Sequence, residues 1–169
     1  MMGTDNQFKS ASMRMGPMVL MTPRYGFLCA NVARVLGEHV REHDLGRVLI
    51  YNPQVAPDGD PDPSRALTVC FYSYARMPRG RVPDAPLPAA PELVVEVHRA
   101  GESWRAVRRR VERYQDAGVL VVCVLEPEGQ TLHAYSDDLP DQVMTADQVL
   151  SLPKLHADFH IGVRRLFEG

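Results

Sequence analysis

Residues 91–127 read PELVVEVHRAGESWRAVRRRVERYQDAGVLVVCVLEP. Glu92 to His98 is a valine-rich run, the composition of a strand. Ser103 is placed to cap a helix reaching about Ala117, and Gly118 stands where a left-handed residue ends one. Trp104, Val107, Val111 and Tyr114 recur at helical spacing and predict the inward stripe of that helix. Val119 to Leu125 is apolar throughout, as in a strand buried on both faces. Strand, helix and strand in this order make a crossover between parallel neighbours, right-handed by the chirality rule.

Working outward from this unit, the chain before it predicts one helix and two strands. Leu28, Val32, Val35, Leu36 and Val40 mark an amphipathic helix from Tyr25 to about His43. Val48 to Val55 and Leu67 to Tyr74 carry the β-branched and aromatic residues of strands. Between them Asp58, Asp60 and Asp62 alternate with Gly and Pro in a turn; the spacing is similar to a calcium loop but lacks its closing Glu. Met77 to Pro91 holds five prolines and is expected to be a long loop. A short strand is expected at Met18 to Thr22. After the unit, Gln130 to Tyr135 pairs back as a hairpin through Glu128 and Gly129, and Val163 to Phe167 forms a last helical turn. The expected fold class is α/β, a mixed β-sheet in αβββαβ order flanked by helices.

The 169 residues carry 45% hydrophobic and 24% charged side chains, which excludes wholesale disorder. The longest uncharged apolar run has seven residues, far too short to span a membrane. Cys29, Cys70 and Cys123 are odd in number and set among apolar residues, the pattern of buried thiols in a reducing cytoplasm. Net charge is −2, yet 17 of the 19 basic residues are arginine, and six of these lie between Arg99 and Arg113. An arginine face of that density suits a polyanion or a solvated helix surface.

The quoted stretch resembles the Uma-type restriction endonuclease family within the PD-(D/E)XK nuclease superfamily. There an apolar strand ending in Glu-Val leads through a turn into a helix closing on Tyr-x-x-Ala-Gly-Val, ahead of a strand ending in Asp-Pro. The segment from Ser73 to Pro78 and the final Arg-Arg-Leu-Phe are also similar to that family. The resemblance implies a restriction-endonuclease-like core over residues 18–169 as one domain; residues 1–17, rich in Met and without a clear period, are expected to be a mobile tail. It further implies a Mg²⁺-dependent hydrolase acting on nucleic acid phosphodiesters. Two carboxylates hold the ion, one from the second strand and one from the third, and a Lys orients the water.

Carried over residue by residue, Glu96 takes the third-strand carboxylate position. Thr68 falls where the second-strand Asp is implied, and Arg110, four residues before Tyr114, falls where the Lys is implied. A neutral hydroxyl is a poor ligand for a hard cation, and Arg stays protonated, able to clamp a phosphate but not to act as a base. His98 shares the strand face of Glu96 and coincides with the Lys of the superfamily's Glu-x-Lys pattern; its alternatives are base or metal ligand, and a strand-end residue bonded to the nearby loop. Asp62 or Asp84 are candidates for a second metal ligand. Arg110 lies on the shoulder of the helix stripe, within reach of either a salt bridge to Glu96 or a phosphate. Trp104 is read as core, and Glu92, at the strand's start, as solvated.

Three readings follow. The chain is a Mg²⁺-dependent endonuclease with a rearranged site of Glu96, His98 and a relocated Asp. Or it is an inactive nuclease fold that binds DNA through Arg105, Arg108, Arg109 and Arg113. Or it is an interaction module, a homodimer without a nucleic-acid role. The cytoplasm is the expected location for all three.

Overall fold

The computed structural model describes residues 22–53 and 67–169 of the chain. The expected tail at 1–17, the strand residues at 18–21, and Asp58, Asp60 and Asp62 lie outside the described residues. Thr22 is instead the N-cap of the first helix, its hydroxyl accepting from Tyr25 N at 3.2 Å. Pro23 follows in the first turn, where a missing N–H leaves no bond unmade. Helix α1 spans Pro23–Glu42 and buries Leu28, Val32, Val35, Leu36 and Val40.

Strand β1 is Gly46–Tyr51, β2 Thr68–Ser73 and β3 Leu93–Val97. Gly46 has a steric reason: a Cβ there would stand 1.9 Å from the Tyr72 carbonyl oxygen. Helix α2 is Trp104–Asp116, capped by Ser103, whose side chain accepts from Ala106 N. Gly118 adopts φ +93°, the left-handed conformation expected beyond the helix end. Val119 N then bonds to Tyr114 O at 3.0 Å, so the next strand, β4, starts two residues later, at Val121–Glu126. Strand β5 is Thr131–Ser136.

With a sixth strand, β6, at Leu139–Met144, the sheet runs β1-β2-β3-β4-β5-β6, with β3 and β4 parallel and the other pairs antiparallel. Strand β6, Leu139–Met144, has no counterpart in the sequence reading, because Pro140, Asp141 and Gln142 break its pattern. It forms at the sheet edge, where proline is tolerated. Strands β7, Val149–Ser151, and β8, His160–Gly162, make a separate two-stranded ribbon, and α3 is Arg164–Phe167.

Two apolar layers sandwich the sheet. On one face Leu28, Val32 and Leu36 of α1 pack on Val69, Phe71, Val95 and Cys123, with Leu166 of α3 beside them. On the other, Val107, Val111 and Tyr114 of α2 pack on Cys70, Tyr72, Val94, Val122 and Val124. Residues 93–97 and 121–125 are all buried, as expected of central strands covered on both sides. Three inward positions of α2 are therefore those of the predicted stripe. Trp104 is not: it is 39% exposed. At the first helical position it lies beyond this core and stacks on His98 instead.

Candidate functional site

Strand β3 points Glu96 at the α2 side of the sheet, and α2 answers with two residues one helical turn apart. Arg110 donates from Nε to Glu96 Oε2 at 2.6 Å, and Tyr114 donates its hydroxyl to Oε1 at 2.7 Å. Each carboxylate oxygen thus has a partner. The pair is poorly hydrated, with side-chain exposures of 9% for Glu96 and 14% for Arg110. Arg110 also reaches Glu102 Oε1 at 2.5 Å and Oε2 at 3.2 Å, and Arg99 Nη2 donates to Glu102 Oε1 at 3.0 Å. Two acids and two guanidiniums form one chain of alternating charge.

Burial alone would lower the Arg110 pKa, but hydrogen bonds and attraction from Glu102 and Glu96 outweigh it and hold the guanidinium protonated. Glu102 is half-buried, which raises its pKa, yet Arg110 and Arg99 bring it below its ordinary value. Tyr114 is driven well above the phenolic range by burial and then by the negative charge of Glu96, so it remains a donor. Losing any one partner of such an arrangement is costly, since it strands a charge in a dry site.

The β2–β3 ladder pairs Val69 with Val95; one step along the same register sets Thr68 across from Glu96. The Thr68 hydroxyl donates to the Tyr51 carbonyl at 3.0 Å and lies 3.4 Å from Cys70 Sγ. His98, half-buried, places Nε2 3.1 Å from the Glu102 carbonyl oxygen and stacks on Trp104 at 4.5 Å with rings 5° from parallel. Trp104 is in turn 4.1 Å from the ring of His133. Burial lowers the pKa of His133. Asp84 is exposed and paired with Arg81 at 2.6 Å; no contact links it to Glu96. Asp62 lies outside the described residues.

Glu92 departs from the expectation of a solvated residue. It is buried, accepting from Ser73 N at 3.1 Å and from the Ser73 hydroxyl at 2.5 Å, with Arg76 Nε 3.4 Å away. Arg76 extends the tie by donating to the Ala90 and Gly118 carbonyls, which anchors the proline-rich loop and the α2 terminus. Sequence reasoning also missed Tyr114, Glu102 and Arg99 as members of the Glu96 network. The three-residue spacing from Arg99 to Glu102 was the available signal.

On the outer side of α2, Arg105, Arg109 and Arg113 are exposed at successive four-residue intervals, about 6 Å apart along the axis. Arg108 is held differently, bonded to Asp141 of β6 at 2.6 Å and lying over the Tyr135 ring at 5.4 Å.

The model of the Uma2 family, described as a putative restriction endonuclease, matches residues 11–164. The chain belongs to that family. A solved structure from Anabaena variabilis, described as a putative nuclease belonging to DUF820, matches with a TM-score of 0.65 at 14% identity, covering 88% of this chain and 82% of its own. That likeness shows a shared fold. No curated protein matches the chain. No described helix is long and apolar enough to cross a membrane.

Uma2 membership implies a divalent cation such as Mg²⁺, which takes carboxylate, carbonyl and water oxygens. Around Glu96 the described residues instead offer a guanidinium, a phenol and a hydroxyl already donating elsewhere, and the nearby Glu102 carboxylate is itself taken up by Arg110 and Arg99. Among the described residues no group of three His, Cys, Asp or Glu is arranged to hold a metal ion. This donor set does not fit Mg²⁺.

Proposed function

We propose that this Uma2 chain is a nuclease-fold protein whose hydrolytic site has given way to an internal ion pair, and that it engages nucleic acid without cutting it. The observation that carries the reading is Arg110 Nε at 2.6 Å from Glu96 Oε2. A permanently protonated guanidinium occupies the bonding edge that a cation would need, and it cannot take a proton from water. Thr68, at the register position opposite Glu96, adds no negative charge. Arg105, Arg109 and Arg113 supply the positive ridge for phosphates, with Arg108 beside it. The three cysteines, free and buried, suit a reducing compartment such as the cytoplasm.

The deciding experiment mixes the protein with supercoiled plasmid and Mg²⁺ or Mn²⁺, beside Glu96→Ala. The reading expects no nicking that depends on both metal and Glu96. Cleavage by the wild type that disappears in Glu96→Ala would overturn it. In parallel, DNA affinity should fall steeply as salt is raised, since counterion release drives phosphate binding. A flat salt profile removes the nucleic-acid half of the proposal.

A further inference from the structure

A cavity of about 740 Å³ lies between β1, Tyr72 of β2, the proline-rich loop and the C-terminal end of α2. Its size is that of sites for small organic molecules. It is distinct from the Glu96 network, none of whose members line it.

The wall chemistry is one-sided. Leu49, Tyr72, Val82 and Leu87 give it an apolar body. Pro83, Pro86 and Pro88 contribute to the lining from the loop, and a proline has a carbonyl but no N–H, so this wall is short of donors. The Tyr51 and Tyr72 hydroxyls share one hydrogen bond, so the pair keeps a single O–H for any other acceptor. Asn52, another lining residue, keeps a buried Oδ1 with no hydrogen-bond partner among the described residues.

Charge points the same way. Among the described residues no Lys, Arg or His lines the cavity, while Asp84 and Asp116 do. Asp84 is neutralised by Arg81, but Asp116 has no ion pair among the described residues. Asp116 and Ala117 also bring the end of α2, whose aligned carbonyls carry partial negative charge. Phosphates and carboxylates find no counter-charge among these described lining residues. An ammonium finds one carboxylate, a helix C-terminus and the Tyr51 ring, whose face attracts cations.

We propose that this cavity binds a small apolar amine, its hydrocarbon or aromatic body against Leu49, Tyr72 and Leu87 and its ammonium toward Asp116. The proposal is independent of whether the protein binds or cuts nucleic acid. Three probes of similar shape and different charge test it on the full chain by NMR titration at low salt: tryptamine, 3-methylindole and indole-3-acetate. Tryptamine should bind saturably and most tightly, with shifts centred on residues 49–53, 82–90 and 116–117. Asp116→Asn, an exposed change that keeps the fold, should narrow the preference for tryptamine over indole-3-acetate about threefold to fivefold. Absence of saturable binding, equal binding of all three probes, an unchanged preference in Asp116→Asn, or shifts centred elsewhere would each overturn the proposal.

Discussion

Arg110 and Tyr114, one turn apart on α2, take the two oxygens of Glu96 separately, Nε to Oε2 and the hydroxyl to Oε1. The carboxylate that the family resemblance assigns to a metal is therefore the point at which the helix is fastened to the sheet. Several measurable consequences come from that fastening and from the burial around it.

Breaking the fastening on one side should cost stability on the scale of a dry ion pair. Glu96→Gln or Arg110→Met alone is expected to lower the free energy of unfolding by about 3 kcal/mol, read by urea titration. The double variant should lose less than the sum, with a coupling above about 1 kcal/mol. Strict additivity would show that the two side chains do not share an energetic contact.

Rebuilding a metal-compatible donor set is the converse test. Thr68→Asp with Arg110→Lys sets a second carboxylate across from Glu96 and replaces the planar guanidinium with a movable ammonium. Mn²⁺ should then stabilise the variant, by about 2.7 kcal/mol at a hundredfold excess over its dissociation constant, and leave the wild type unchanged. An unresponsive variant would mean that the register position of Thr68 is not where a metal could be held.

Removing the arginine ridge should act on affinity through charge and leave folding alone. Arg105, Arg109 and Arg113, changed together to Ala, are expected to reduce the slope of log affinity against log salt by roughly 0.9 for each phosphate that is no longer neutralised. Equal slopes for wild type and variant would place the DNA-binding surface elsewhere.

A pH effect should come from the histidines at the end of α1. His39 stacks on His43 at 4.3 Å, His43 lies 5.8 Å from His156, and the Nε2 of His39 is buried without a partner among the described residues. Burial lowers its pKa, and His43, His156 and His160 push the same way, against Glu42. The unfolded chain therefore binds the proton more readily than the folded one. Stability is unaffected by this group well above pH 6.5, falls as pH drops below that ordinary value, and levels off under the folded pKa. Urea midpoints at pH 8 and pH 5 should differ less in His39→Phe than in the wild type; an unchanged difference would assign the effect to other groups.

Thiol reactivity should follow burial. The Cys70 and Cys123 thiols are pushed up to about 12 by desolvation. At pH 8 that leaves a thiolate fraction near ~10⁻⁴, and the thiolate is the reacting species. Mass spectrometry after iodoacetamide should find both unmodified in the native protein and alkylated in urea. Rapid native labelling would contradict their placement in the sheet.

Much of the architecture is legible locally. The Ser103 cap, the Val107, Val111 and Tyr114 stripe, the left-handed Gly118 and the two valine-rich strands each depend on residues within a few positions of one another. That is why the strand, helix, strand order and its parallel crossover follow from residues 91–127 alone. The edge strand β6 does not, because Leu139–Met144 has weak intrinsic preference and forms by pairing with β5.

The site divides along the same line. Sequence spacing by itself puts Glu96 and His98 on one strand face and Arg110 on the shoulder of its helix. Only the tertiary structure decides that Thr68 stands across from Glu96, that Glu102 and Arg99 extend the ion pair, that Glu92 is buried on Ser73, and that Trp104 leaves the core for His98 and His133. The reason is physical: such contacts join segments far apart in the chain, and their partners depend on strand register and helix phase. A slip of one residue in a strand would turn every one of its side chains to the opposite face.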